Sequence, residues 1–427
     1  MIKSHKTAAL TLVGSALMAL AAPLLAQDKA ASAEASPPAP VTYSSAFPVT
    51  AGEEAALDRI IADIGDKRVV ALGEISHGDG SSFLFKARLI ERLYRERGFD
   101  VLAMEGGIYD HIEAEERIAA GEQPSVAFAR ANYPVWTRSE QFAPMLDLVD
   151  EAASSGRPFT LVGVDFQHSG KQNEESIKRL SAIAERLGDA GKPVWSLIEI
   201  WRSISRVKEG PFRAFTAVLD QIDEARKEAL NAIKEAGGPD QARDYRLINN
   251  HARFLRQSSL YRRVGLEAMG WGEVNMRDAM MGRNLNYEAI TNYPDRKIVI
   301  WGATAHVMKE RAAVDSEMPM IPMGQYIAKG PLADDYYVLA FSAFGGRNGT
   351  MRGDVYDIDP ADPDGIESHA MSLAAQADTA FVEIPPCGEG RAKIRALGYQ
   401  YYTGDWGCAL DGVVVFRDME PSILSQN

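Results

Sequence analysis

Several marks of the commoner enzyme classes are missing from this chain. Only two cysteines, Cys387 and Cys408, occur in 427 residues, so no cysteine metal set is encoded. There is no GxxxxGK[ST] phosphate loop and no GxGxxG fingerprint, the Gly-rich backbones that cradle nucleotide phosphates. GxSxG is absent too, which argues against a serine esterase with the usual nucleophile elbow. HExxH, the helical zinc-protease signature, does not occur either. Basic residues are in the minority, 46 Lys and Arg against 59 Asp and Glu, giving a formal charge of −13. No basic tract interleaves with aromatics, so nucleic acid and anionic membrane surfaces are excluded as expected partners. No period repeats and no heptad persists, which disfavours solenoids, propellers and coiled coils.

What is present begins at the N-terminus. Lys3 and Lys6 precede an uncharged, mostly apolar run from Ala8 to Ala22, and a small-residue site follows, best placed after Ala26. This is the three-part form of a secretory signal peptide, and the run is too short for a comfortable membrane span. Cleavage would leave a mature charge of about −15, a periplasmic or secreted protein, and no stable membrane insertion. Residues 27–50 read as a disordered leader, rich at first in Ala, Ser and Pro. In an oxidising compartment Cys387 and Cys408, both in Gly-rich loop-like sequence, are expected to form a disulfide. With 46% hydrophobic and 25% charged residues, the rest is ordinary globular composition, expected as one domain over 51–427.

Four short Val-, Ile-, Leu- or Phe-rich segments read as buried strands: Arg68–Leu72, Asp100–Met104, Phe159–Val164 and Lys297–Ile300. Between the first two, Phe85, Leu89, Ile90 and Leu93 make an amphipathic helix over Phe83–Arg97. Strand, helix and strand in so short a stretch imply a parallel βαβ unit. Another helix is expected over Gln141–Ser154, and further strands over Tyr336–Phe341, Thr379–Ile384 and Val413–Arg417. Residues 172–292 carry helical periodicity throughout, clearest over Pro193–Val207, Phe212–Ala236 and Gln241–Val264. The expected fold class is α/β, a mostly parallel central sheet flanked by helices, with a large helical insertion.

The polar residues fall at one recurring place. The first strand ends in Gly73-Glu74-Ile75-Ser76-His77-Gly78, the second in Glu105-Gly106-Gly107, the third in Asp165, and the fourth runs into Trp301 through His306. Each apolar strand releases an ionisable group just past its carboxyl end, the edge at which open parallel sheets bind ligands. Glu74 and His77, three apart, share a face if a helical turn starts there. A carboxylate beside an imidazole raises its pKa and selects one tautomer, which makes a general base near neutral pH. Glu105 would orient the same imidazole or act as a second acid–base group. His306 would donate to a developing oxyanion or simply pack at a strand end. Asp165 is a loop anchor or a site residue. Lys86 and Arg88 are solvated helix charge or turn toward the site and pair with Glu74 or Glu105. His168 reads as an exposed loop residue. The Glu, Asp and His set is also of the kind that ligates a divalent ion.

At these residues the sequence resembles the erythromycin esterase family. The resemblance rests on ALGEISHG at residues 71–78, the Phe83–Ile90 segment, Met104-Glu105-Gly106, Trp136-Thr137 and Gly163-x-Asp165. It continues through Arg277-Asp278 with Met280 and Asn284, Trp301 through Val307, Met323-Gly324 and Tyr337–Phe341. It implies hydrolysis of a carboxylic ester or lactone, macrolides among the candidates, by histidine-activated water without a cofactor. His77 falls at the water-activating position, Glu74 and Glu105 at its partner carboxylates, and Lys86 and Arg88 where basic residues are common. His77, Glu74, Glu105 and His306 are thus the expected catalytic set, and Lys86, Arg88 and Asp165 the expected substrate-binding set. One departure stands out: the family's Trp-Ala-His-Asn-x-His arrangement has Ala303 and Thr304 here in place of its first histidine and its asparagine. Two other readings are a metal-dependent hydrolase and a small-molecule or haem-binding protein with a degenerate site.

Overall fold

A computed structural model describes residues 47–170, 173–206, 212–267, 271–351 and 353–425. The expected signal peptide and most of the expected leader lie outside the described residues. The leader's last residues belong instead to the fold: Phe47 is buried and Val49–Ala51 forms a strand, β1. Three residues of edge strand carry no periodic signal, which is why they read as leader.

The remaining strands are β2 (Val69–Glu74), β3 (Phe99–Gly107), β4 (Thr160–Asp165), β5 (Lys297–Ala303) and β6 (Tyr336–Gly349). They are followed by β7 (Val355–Asp357), β8 (Thr379–Glu383), β9 (Ala392–Leu397), β10 (Gln400–Gly404) and β11 (Gly412–Met419). The main sheet runs β1-β8-β11-β6-β2-β5-β3-β4, with β7 attached to β6, while β9 and β10 pair separately. From β11 to β4 every pairing is parallel; β8 and β1 complete the edge antiparallel.

The strands read as unbroken apolar runs because both faces of the sheet are covered. Along β2, Val70 and Leu72 pack with Phe85, Leu89 and Ile90 of the helix Gly80–Arg97. The alternate residues, Val69 and Ala71, pack on the other face with Met281 and Leu285 of the helix Trp271–Tyr287. This is the two-residue alternation of a strand serving two layers at once. Between β4 and β5 come the helices Asn173–Leu187, Lys192–Arg206, Phe212–Ala236 and Gln241–Glu267. They enclose a core of their own that includes Leu180, Leu197, Ile222, Ile248 and Leu255. Helices over Glu53–Ile64, Ile108–Ala119 and Pro124–Ala131 escaped the sequence reading, as did the β9–β10 hairpin. Cys387 and Cys408 flank that hairpin with their Cα atoms 4.4 Å apart, a separation a disulfide spans. Among the described residues no helix is long and apolar enough to cross a membrane.

Candidate active site

β2 and β3 stand on either side of β5, so Glu74 and Glu105 come to the same edge of the sheet from two flanking strands. Glu74 is fully buried. Its Oε1 accepts from His77 Nδ1 at 2.8 Å and from the Trp136 indole Nε1 at 2.8 Å. Its Oε2 pairs with the ammonium of Lys86, also fully buried and 4.5 Å from the Trp301 ring centroid. Burial pulls the Lys86 pKa below its ordinary value, and the charge of Glu74 works against that pull. A buried carboxylate is tolerated when it is paired and hydrogen-bonded in this way.

A carboxylate only accepts, so His77 Nδ1 carries the proton and Nε2 presents a lone pair. Among the described residues no hydrogen-bond partner meets Nε2, and the side chain is 18% exposed. Trp136 meets the imidazole edge-on, centroids 5.4 Å apart. Burial disfavours the charged ring, but the bond to Glu74 and the charges of Glu105 and Glu74 outweigh it. The His77 pKa therefore lies above the ordinary 6.5.

Glu105 gathers a different group. Its Oε1 lies 3.0 Å from Arg277 Nη2 and 3.4 Å from His306 Nε2, and its Oε2 accepts from the Ala303 backbone N–H at 3.1 Å. Gly302 makes this approach possible, since a Cβ there would lie 3.3 Å from Glu105 Oε2. Arg277 also donates from Nε to Asp165 Oδ2 at 2.8 Å, and its Nη2 lies 2.7 Å from the same oxygen. His306 Nδ1 donates to Asp278 Oδ1 at 2.8 Å, an oxygen that also accepts from the Met323 N–H at 2.9 Å. Burial opposes a charge on His306, but Asp278 and Glu105 override it and raise its pKa to about 9. It is an imidazolium at neutral pH, its Nδ1–H given to Asp278 and its Nε2–H facing Glu105. Burial acts to raise the Glu105 pKa, yet His306, Arg277 and His77 hold it at about 2. Asp165 lies above the usual carboxylate range because its burial outweighs Arg277.

The expected residues therefore divide. Glu74 and His77 meet, with Lys86; Glu105, His306 and Asp165 meet through Arg277. Glu105 makes no hydrogen bond to His77 and acts on it only by charge. Lys86 and Asp165 are fully buried, Lys86 against Glu74 and Asp165 against Arg277. Arg88 joins neither group: its side chain is 45% exposed and pairs with Glu53 and Glu54 on the helix Glu53–Ile64. Residues two apart on a helix do not share a face, so once Lys86 turns inward Arg88 cannot. His168 is tied rather than free, with Nδ1 3.2 Å from Asp110. The members without an assigned role in the sequence reading are Trp136, Arg277 and Asp278. All three fall within the family resemblance, but a charged pair on a long helix carries no local sign that it faces a site.

The departure from the family pattern has a definite geometry. Ala303 contributes its backbone N–H to Glu105, and Thr304 Oγ1 donates to the Gly73 carbonyl at 2.6 Å, which ties the end of β5 to the end of β2. The carboxylates of Glu105 and Asp165 converge on the Arg277 guanidinium. Among the described residues, the grouping of three potential ligand residues with their donor atoms close together is Cys387, Asp405 and Cys408, and its two sulfurs are joined to each other as a disulfide.

Comparison with known proteins bears on the family and the fold. The erythromycin esterase family profile matches residues 94–418, a span that takes in Glu105, Trp136, Asp165, Arg277, Asp278 and His306 and begins after Glu74 and His77. The protein YbfO of Bacillus subtilis (strain 168) is 25% identical over 303 residues, which are 66% of this chain and 66% of that protein. Erythromycin esterase type II of Escherichia coli is 22% identical over 307 residues, 67% of this chain and 72% of that one. The solved structure of a mutant of the erythromycin esterase EreC, in its open conformation, superposes with a TM-score of 0.60 at 17% identity. That likeness covers 86% of this chain and 94% of that one and speaks for the fold.

Proposed function

The chain belongs to the erythromycin esterase family, and from that premise we propose that it is a hydrolase that cleaves a carboxylic ester or lactone with water activated by His77. The observation that carries the reading is the pair His77 Nδ1–Glu74 Oε1 at 2.8 Å with no hydrogen-bond partner at Nε2 among the described residues. Water attacks an ester poorly at neutral pH unless its proton leaves as the bond forms, and a positioned imidazole takes that proton. Here Nε2 accepts it, the water oxygen bonds to the carbonyl carbon, and Glu74 stabilises the resulting imidazolium. Lys86 and Trp136 hold Glu74 in place. The carbonyl oxygen becomes an oxyanion, for which the His306 imidazolium and Arg277 are the nearby donors. As the tetrahedral intermediate collapses, the proton returns from His77 to the departing alkoxide. Products are an acid and an alcohol, or a hydroxy acid from a lactone.

The test is hydrolysis by purified protein of a panel of esters and lactones, macrolides included, with and without chelator. Cleavage that survives chelator fits the reading. Cleavage lost in chelator and restored by a divalent ion points to metal-bound water instead. We also propose that the protein is exported and cleaved after Ala26, with Cys387 and Cys408 bridged. N-terminal sequencing and a non-reduced mass map of periplasmic material should give Gln27 as first residue and a linked peptide pair. An intact Met1 in cytosolic material, or two alkylated thiols, would contradict this.

A further inference from the structure

The segment that carries His77, from Ile75 to Asp79, is an irregular turn between β2 and the helix Gly80–Arg97. Such a turn holds an imidazole in place only if its own backbone is held. Asp79, fully buried, does part of this: its Oδ2 accepts from the Ser76 N–H at 2.8 Å and its Oδ1 from Ser76 Oγ at 3.2 Å. The same Oδ1 accepts from the Tyr399 hydroxyl at 2.8 Å. Tyr399 comes from the tip of the β9–β10 hairpin, outside the main sheet, and the neighbouring Gly398 N–H donates to the Ile75 carbonyl at 3.3 Å. The hairpin tip thus grips both ends of the turn.

The tip itself is unusual. Its two loop residues, Gly398 at φ 58° and Tyr399 at φ 60°, are both left-handed, as a two-residue I′ turn requires. Glycine or asparagine takes that dihedral with ease; a bulky aromatic does so only where its surroundings over-determine it. Among the described residues Ala375 is the one other non-glycine with positive φ. The phenol's bond to a fully buried carboxylate supplies such a surrounding.

We propose that Tyr399 is a positioning residue for His77, acting through Asp79 and Ser76 to hold the imidazole on Glu74. The proposal rests on the reading of His77 as the base. Without the hydroxyl, Asp79 loses its bond to the hairpin, the turn loosens, and the His77–Glu74 contact weakens. That bond is the foremost of the influences that raise the His77 pKa, with the charge of Glu105 beside it, so the imidazole should titrate at lower pH. Tyr399→Phe keeps the ring and its packing while removing the donor.

Two readouts decide it. On an ester the wild type cleaves, Tyr399→Phe should lower kcat roughly 10- to 100-fold, the scale of small misplacements in an active site, with KM little changed. Histidine NMR on the ligand-free protein should show the His77 titration displaced to lower pH in a protein that still unfolds cooperatively, with no more than the small fall in melting temperature that loss of one hydrogen bond brings. Ser76→Ala interrupts the same chain without touching the hairpin and should move both readouts the same way, which keeps the test decisive if Tyr399→Phe does not fold. Added to Asp79→Asn, Tyr399→Phe should cost nothing further, since the bond it removes is already altered. An unchanged kcat and unchanged His77 titration in the folded variants would overturn the proposal. If the wild type cleaves no ester, the functional reading fails, while the titration still decides whether Tyr399 positions His77.

Discussion

Glu74 and Glu105 are buried carboxylates at the ends of strands that flank β5, yet they keep different company. Glu74 takes two of its three partners, His77 and Lys86, from the next 12 residues, and the third from Trp136. Glu105 draws on Arg277 and Ala303, 172 and 198 residues further on. Around Glu74 the histidine keeps one nitrogen without a hydrogen-bond partner among the described residues. Around Glu105 the histidine is bracketed by two carboxylates and stays protonated up to about 9. The comparison teaches that one kind of residue pair, carboxylate and histidine, serves two purposes according to how many acids surround the ring. One contacting acid leaves the His77 ring a nitrogen free for the proposed base role; two contacting acids bracket His306 as a cation. The local cluster is thus suited to moving a proton, and the long-range cluster to holding negative charge.

The strongest way to break this division is His77→Asn, which keeps much of the shape but cannot take a proton. It should lower kcat by ~10²–10⁴ while the melting curve stays in place. Near-wild-type kcat would remove His77 as the base. In the wild type, activity should fall on the acid side through a pKa above 6.5, because protonated His77 cannot accept.

His306→Asn probes the other cluster. Loss of one oxyanion donor should cost ~10²–10³ in kcat. The sign on the alkaline side is fixed by its charge: His306 is protonated below about 9 and loses its proton above. Wild-type activity should therefore decline above that pH, and the variant should lack the decline. A pH profile with the alkaline limb intact in His306→Asn would show that another group titrates there.

Glu74→Gln is the finer test. A neutral amide stabilises imidazolium less, so kcat should drop of order tenfold, the factor that one pKa unit is worth, and the acid limb should move to lower pH. An unmoved acid limb would mean that Glu74 does not set the basicity of His77. The smallest effect is expected at Arg88, which lies outside both clusters. Arg88→Ala breaks an exposed pairing worth about 0–1 kcal/mol, and steady-state kinetics should show kcat and KM unchanged. A marked rise in KM would return Arg88 to the substrate site.

Much of this was legible in the residues alone. The seven expected strands all form, most of them a residue or more longer than read, because apolar runs between polar turns are a local signal that burial on both faces reinforces. Glu74 and His77 could be paired from their spacing, since three residues across one turn leave little freedom. β1 and the β9–β10 hairpin were not legible, because short or edge strands bury too little to impose a pattern. Nor could the chain reveal which of Lys86 and Arg88 turns inward. Helical periodicity puts them on different faces, but only packing against Trp301 and Glu74 names the buried one.

By itself, then, the sequence determined a parallel α/β sheet with ionisable groups at its carboxyl edge and a carboxylate–imidazole pair inside one turn. Tertiary structure alone decided that Arg277 and Asp278, on the last helix before β5, complete the cluster around Glu105 and His306. The physical reason is range. Backbone geometry couples residues a few positions apart, so their contacts are written in their spacing. A contact spanning 172 residues exists only once the insertion has folded and set its final helix against the sheet, and no spacing in the chain encodes that docking.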